Sequence, residues 1–216
     1  MLSANEIAAL HDQLIRAWHQ APGNPVEDRP PSAGSSPDSG AIPDWSGSVA
    51  RQHRANFDLW HIEDEARSPG ASDAELAGVK RRIDRTNQLR NDLAEELDRA
   101  LLGWLEARGL PNPAAQLHSE SPGLIVDRLS ILALKIYHTR EEAGREDAPP
   151  GHAARNRDRL AILEQQRQDL AGCLDSLWRE TLAGTRRFKL YRQLKMYNDP
   201  SLNPAIYRKA FLSSDR

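Results

Sequence analysis

Residues 79–98 read VKRRIDRTNQLRNDLAEELD, and their spacing decides the fold. The seam Leu76, Val79, Ile83, Thr86, Arg90, Leu93, Leu97, Ala100, Trp104 advances by alternating steps of three and four. That rhythm predicts a long helix packed lengthwise in a bundle. Ser72 and Glu75 have the spacing of a capping box that opens it, and Gly109 with Pro111 closes it. One seam position is an arginine. A guanidinium on a packing face must be ion-paired, wet or in contact with a ligand.

The flanking segments repeat the pattern. Ser3 and Glu6 form another capping box, followed by Ile7, Leu10, Leu14 and Trp18 at helical spacing. From about 21 to 48 the chain is rich in Pro, Gly, Ser and Asp without periodicity, which reads as a linker. A second helix is expected over about 49–66. A fourth starts at Ser121-Pro122 with the apolar face Ile125, Leu129, Leu132, Ile136. A fifth, from about 153, has the seam Leu160, Leu163, Arg167, Leu170, Leu174, Leu177, Thr181. Gly184 interrupts it, a sixth segment continues over about 186–197, and Asn203-Pro204 opens a short last helix. No strand is expected. The fold class is therefore all-α, an antiparallel bundle of about five to six long helices in a single domain over 1–216.

Composition narrows the function classes. Lys and Arg number 29 against 31 Asp and Glu, so no strong field points to nucleic acid or membrane. Cys173 is the only cysteine and excludes an internal disulfide; it is expected in the core. No secretory leader and no apolar run of about 20 residues is present, which suggests a cytoplasmic protein. No phosphate-binding glycine loop, nucleophile elbow or zinc knuckle occurs.

Polar residues run beside the seams. The third helix carries Asp84, Asn87, Asn91, Glu95 and Asp98, the fourth Arg128, Lys135 and His138, and the second His61, Glu63, Asp64, Glu65 and Arg67. If these helices are neighbours, an acidic and amide stripe faces a basic one across the interior. The stripes are then either an ion-pair lattice fixing helix register or a pocket for a polar ligand. His61 and His138 are candidates for acid–base work or for binding zinc or iron; the plainer reading is a hydrogen-bonded filler. Glu95 and Asp98, one turn apart, can hold a divalent cation such as Mg2+, although exposed acids at that spacing are common. With His61, Glu63 and Asp64 they faintly resemble the all-α nucleotide pyrophosphohydrolases, but WHIEDEAR lacks the ExxE step of that family. The strip Arg186, Arg187, Phe188, Lys189, Tyr191, Arg192, Lys195, Tyr197 suits an anion, or is simply an amphipathic surface.

WHIEDEAR at 60–67, KRRIDRTNQLRND at 80–92, SESPG at 119–123, DRLSILALKIYH at 127–138 and KMYNDPSLNP at 195–204 resemble the bacterial family called domain of unknown function 4254. The resemblance runs from about 15 to 207. The 21–48 linker departs from it, as does Asn91, where the family often has Thr. It implies a cytosolic helical protein associated with glycosyltransferases of cell-envelope polysaccharide. It implies no reaction and no cofactor. Its motifs coincide with the stripes and add Lys195, Tyr197, Asn198 and Asp199.

The expected site is a polar cleft between the second, third and fourth helices that binds an anionic small molecule, a phosphorylated sugar or nucleotide-sugar. Asp84, Asn87, Arg90, Asn91, Arg128, Lys135, Lys195, Tyr197, Asn198 and Asp199 would bind it, with Arg90, Arg128 and Lys135 holding the anion. His61 or His138 is the acid–base candidate, with Asp64, Glu95 or Asp98 as partner. Two rivals stand beside this: a non-catalytic adaptor for an envelope-assembly glycosyltransferase, and a metal-dependent enzyme of the pyrophosphohydrolase kind. Nucleic acid is not expected. A homodimer is open, since long seams can pack within one chain or across two.

Overall fold

Serine caps place the helix starts in the structure, a computed structural model that describes residues 2–20, 44–194 and 201–204. The Ser3 N–H donates to Glu6 Oε2 (2.7 Å) while Glu6 N–H donates to Ser3 Oγ (3.3 Å), opening α1, Ala4–Gln20. Ser72 and Glu75 repeat the exchange for α3, Asp73–Glu106. Asp44 caps α2, Trp45–Glu65, by accepting from Gly47 N–H (2.9 Å), so this helix begins before the expected Val49. Ser121 and Pro122 start α4, Pro122–Gly144, and α5 follows as His152–Leu182. These five α-helices, among the described residues, confirm the all-α class.

The expected sixth helix is replaced by a short extended run. Gly184 takes a left-handed φ of +72°, which ends α5 where a side chain would be strained. Arg186–Arg187 (β2) then pairs in parallel with Gln116–Leu117 (β1), the strand element that the sequence did not announce. Each strand has two residues, so the pair acts as a clasp rather than a sheet. Phe188, from the basic-aromatic strip, is buried in the core at 2% exposure. Most of the 21–48 linker and the short helix expected after Pro204 lie outside the described residues, as do Lys195, Tyr197, Asn198 and Asp199.

α4 packs against all four other helices. Around it the order is α3, α2, α1, α5, each touching the next. The backbones of α3 and α5 stay apart, although Trp104 and Trp178 meet ring to ring at 5.7 Å. The main core gathers Leu97, Leu101, Leu105, Ile125, Leu129, Leu170, Leu174 and Leu177. Each such fully buried side chain contributes roughly 1.5–3 kcal/mol. A second cluster joins Ile15, Phe57, Ala133 and Leu134, with Trp18, Trp60 and Tyr137 packed on it.

The α5 seam is as expected from Leu170 to Thr181. On α3 the C-terminal half buries Ala94, Leu97, Asp98, Leu101 and Leu105, so the expected seam is rotated by one position there. The cause is packing against two partners, α2 and α4, rather than one. Cys173 is exposed, contrary to its expected core position. No helix among the described residues is long and apolar enough to cross a membrane.

Candidate functional site

Two polar regions meet where α1, α2 and α4 come together. The first is a chain of side chains through the interior. Asp127 on α4 accepts from Gln52 Nε2 (2.5 Å) and Asn56 Nδ2 (2.9 Å), both through Oδ1. Arg90 Nε lies 3.7 Å from the same oxygen and has no hydrogen-bond partner, although it is buried. Burial raises the Asp127 pKa above the ordinary carboxylate value, and the Arg90 charge opposes this. Asn56 Nδ2 also donates to Ser130 Oγ (2.9 Å), and Ser130 meets His53 Nδ1 at 2.6 Å. The His53 ring packs on His11 with centroids 4.2 Å apart. Burial holds His53 down to about 3 and His11 well below the usual imidazole value, so both remain neutral fillers of the interior.

The Arg90 end of this chain opens into a cleft of ≈ 320 Å³ between α2, α3 and α4. Asn56, Trp60, Glu63, Asp64, Arg67 and Arg90 line it, over an apolar floor of Leu59, Ile131 and Leu134. Arg67 is held by the Glu63 carboxylate at 3.2 Å, whereas Arg90 lines the cleft with its Nε buried and lacking a hydrogen bond, Asp127 being its ion-pair partner at 3.7 Å.

The second region is a cluster of His19, His61 and His138, one each from α1, α2 and α4. One ligating atom of each lies within 4.8 Å of the other two. His19 Nδ1 contacts the Ile15 carbonyl oxygen at 2.9 Å, and a carbonyl can only accept, so Nδ1 carries the proton. His138 Nδ1 likewise donates to Glu141 Oε2 at 2.9 Å. The Nε2 atoms of both rings are buried with no protein partner. Burial lowers the pKa of His61 and His138; at His61 the neighbouring histidines add to the effect and Asp64 opposes it, and at His138 Glu141 opposes most, His19 adding to the lowering and Asp64 opposing it as well. Aromatic rings hold the cluster: Tyr137 stacks on His19 (4.5 Å), Trp60 on His138 (4.8 Å), and Phe57 meets His61 edge-on (4.5 Å). Trp60 therefore forms a wall common to the cluster and the cleft.

The expected site residues divide. His61, His138, Asp64 and Arg90 come together around Trp60. Arg128 and Lys135 look into a different groove, ≈ 720 Å³, between α4 and α5, where Cys173 also lies. Arg128 is already paired with both Glu120 oxygens, at 2.8 and 2.7 Å. The basic stripe of α4 thus does not face the acids of α3, and the counterpart of Arg90 is Asp127 on α4 rather than an acid on α2 or α3. Asp84 pairs with Lys80 along α3, and Asn87 and Asn91 are half-buried outside the cleft lining. Glu95 accepts from the Gln193 N–H (2.8 Å) and pairs with Arg99. Asp98 is buried and accepts from Ser121 Oγ and from Gly123 N–H (2.7 Å), so it anchors α4 on α3. Among the described residues, the three histidines are the one group of three ligating side chains close enough to share a metal.

Sequence reasoning missed His19, His53, Gln52 and Asn56, while Asp127 stood in the motif at 127–138 without a role assigned to it. The steps Gln52, Asn56, Glu63 did signal a polar line on α2. His19, at the end of the first helix, carried no such signal.

A family model described as a protein of unknown function, DUF4254, matches residues 46–190, and the chain belongs to that family. The matched segment contains α2 to α5, whereas His19 precedes it. No curated protein and no solved structure matches the chain.

Proposed function

We propose that this member of the DUF4254 family binds an anionic, sugar-like small molecule in the cleft between α2, α3 and α4. The observation that carries the reading is Arg90. Its Nε is buried without a hydrogen-bond partner at the wall of an open cleft. An unsatisfied buried donor costs about 1–3 kcal/mol, and a phosphate or carboxylate oxygen would relieve it. Asp127 relieves it poorly, since its nearer oxygen already accepts from Gln52 and Asn56.

The rest of the lining favours a sugar attached to that anion. Glu63, Asp64 and Asn56 offer partners for hydroxyls, and Trp60 offers an apolar face. The cleft volume lies at the lower end of small-ligand pockets, about 300–1,000 Å³. It suits a phosphorylated monosaccharide, and a nucleotide-sugar would leave its nucleoside outside. Such ligands belong to cell-envelope polysaccharide assembly, the setting that the sequence resemblance implies. Asp64 lines the cleft and acts electrostatically on His61 and His138, so it links the ligand to these acid–base candidates.

Thermal unfolding with inorganic phosphate, a hexose, a hexose 1-phosphate and a uridine diphosphate sugar tests this reading. At about a hundred times the dissociation constant, the Tm should rise on the order of 5–10 °C. The phosphorylated sugar should outperform the plain hexose, and Arg90→Met should remove the rise. If no compound shifts the native protein and it co-purifies with a glycosyltransferase, the cleft reading fails and the adaptor reading replaces it.

A further inference from the structure

We infer that His19, His61 and His138 form a binding site for a zinc-class divalent transition metal, assembled from three helices. This inference is independent of the anion cleft and goes beyond it. The ligand atoms lie within 4.8 Å of one another. Zn–N bonds of about 2.0–2.1 Å would bring tetrahedral ligand atoms to about 3.4 Å, a closure within reach of small side-chain rotations.

Packing alone explains three imidazoles against Tyr137, Trp60 and Phe57, but not the direction of their hydrogen bonds. His19 and His138 each spend the Nδ1 proton outward, on the Ile15 carbonyl and the Glu141 carboxylate. Each is left with a buried Nε2 lone pair that meets no donor. Unsatisfied acceptors are a cost, and His11 and His53 bear it as well, but among the described residues only His19, His61 and His138 bring three ligating side chains within 4.8 Å of one another. A cation removes that cost, and the outward bonds are those that orient metal-ligating histidines. Three neutral imidazole nitrogens with no thiolate and no carboxylate among the ligands suit zinc and its neighbours rather than Mg2+ or Ca2+. Three protein ligands also leave a fourth position for water or an exogenous ligand, the pattern of reactive rather than structural zinc.

The test uses full-length, tag-free protein stripped with a chelator and then titrated with Zn2+ or Co2+. Calorimetry and elemental analysis should find one equivalent per chain, and Co2+ should develop the intense visible bands of a four-coordinate ion. His19→Gln, His61→Gln and His138→Gln should each abolish retention of the metal while circular dichroism stays helical. Glu141→Gln should weaken binding by about 10–100-fold. Native protein that gives no Co2+ bands overturns the inference whether or not the variants fold. So does binding that survives in all three histidine variants. Metal binding without sugar-phosphate binding would leave this site standing and sink the anion cleft; the reverse result would do the opposite.

Discussion

Replacing Asp98 by asparagine should remove a pH dependence of stability while leaving the α3–α4 junction bonded. Asp98 is 2% exposed and receives hydrogen bonds from Ser121 Oγ and Gly123 N–H. Burial nevertheless raises its pKa from 3.8 to about 6, because those bonds do not fully replace the lost hydration of the charge. The folded state therefore holds the proton more tightly than the unfolded state. Below about pH 4 both states are protonated and the group is neutral towards folding. Between about pH 4 and 6 the unfolded chain ionises first, so stability falls as pH rises. Above about 6 the full penalty, about 3 kcal/mol, is in place.

The protonated carboxyl and an amide make the same bonds. One oxygen accepts from Gly123 N–H, and a donor faces Ser121 Oγ. Urea unfolding of the native protein and Asp98→Asn at pH 4 and pH 7 isolates the effect, since every other titrating group is common to both. The variant should gain about 2.4 kcal/mol relative to the native protein on going from pH 4 to pH 7, since the unfolded carboxyl is already partly ionised at pH 4. Asp98→Ala should instead be less stable by about 2–5 kcal/mol at pH 4, because Ser121 and Gly123 lose their partner, and this deficit should shrink by about 2–3 kcal/mol at pH 7, where the native protein buries a charge that alanine lacks. A difference between native protein and Asp98→Asn that is the same at both pH values would refute the reasoning.

Gly123→Ala attacks the same junction sterically. A Cβ there would lie 2.4 Å from the Ala94 carbonyl oxygen and 2.9 Å from the Asp98 carboxyl carbon, and the backbone oxygen cannot rotate away. The loss should be about 3 kcal/mol or more by urea unfolding; a loss under about 1 kcal/mol would show that α4 shifts freely on α3. Cys173 is exposed in the α4–α5 groove, so a chromogenic disulfide reagent should label it in the native protein. Labelling only after denaturant would contradict that placement, and Cys173→Ser should change stability by less than about 0.5 kcal/mol.

The helices were legible because their signals are local. Ser3, Ser72 and Ser121 cap as their spacing dictates, and Gly109 and Gly184 adopt the left-handed conformation that ends a helix. Failures came where a long-range partner decides. Arg186 and Arg187 read as an amphipathic helix, yet pairing with Gln116 and Leu117 makes them extended. Asp98 read as a metal ligand on an acidic stripe. Its true partners, Ser121 and Gly123, sit beyond a connection that brings them onto α3. Arg90 was correctly singled out as needing a partner, but nothing local says that the partner is Asp127.

The misassigned stripe on α4 has a geometric cause. Arg128, Lys135 and His138 read as one stripe because their steps of seven and three keep them roughly on one side. At about 100° per residue, however, His138 lies about 80° from Arg128 and only about 20° from Asp127. On a helix with one neighbour an 80° spread still falls on one face. α4 has four neighbours, so the same spread carries the chain from the α4–α5 groove to the cluster with His19 and His61. The histidine is thereby sorted with Asp127, Ser130 and Leu134 against α1 and α2, and the arginine with Lys135 against the groove towards α5. A central helix divides its polar residues by neighbour more finely than a heptad reading can, and for that reason His138 belongs with His19.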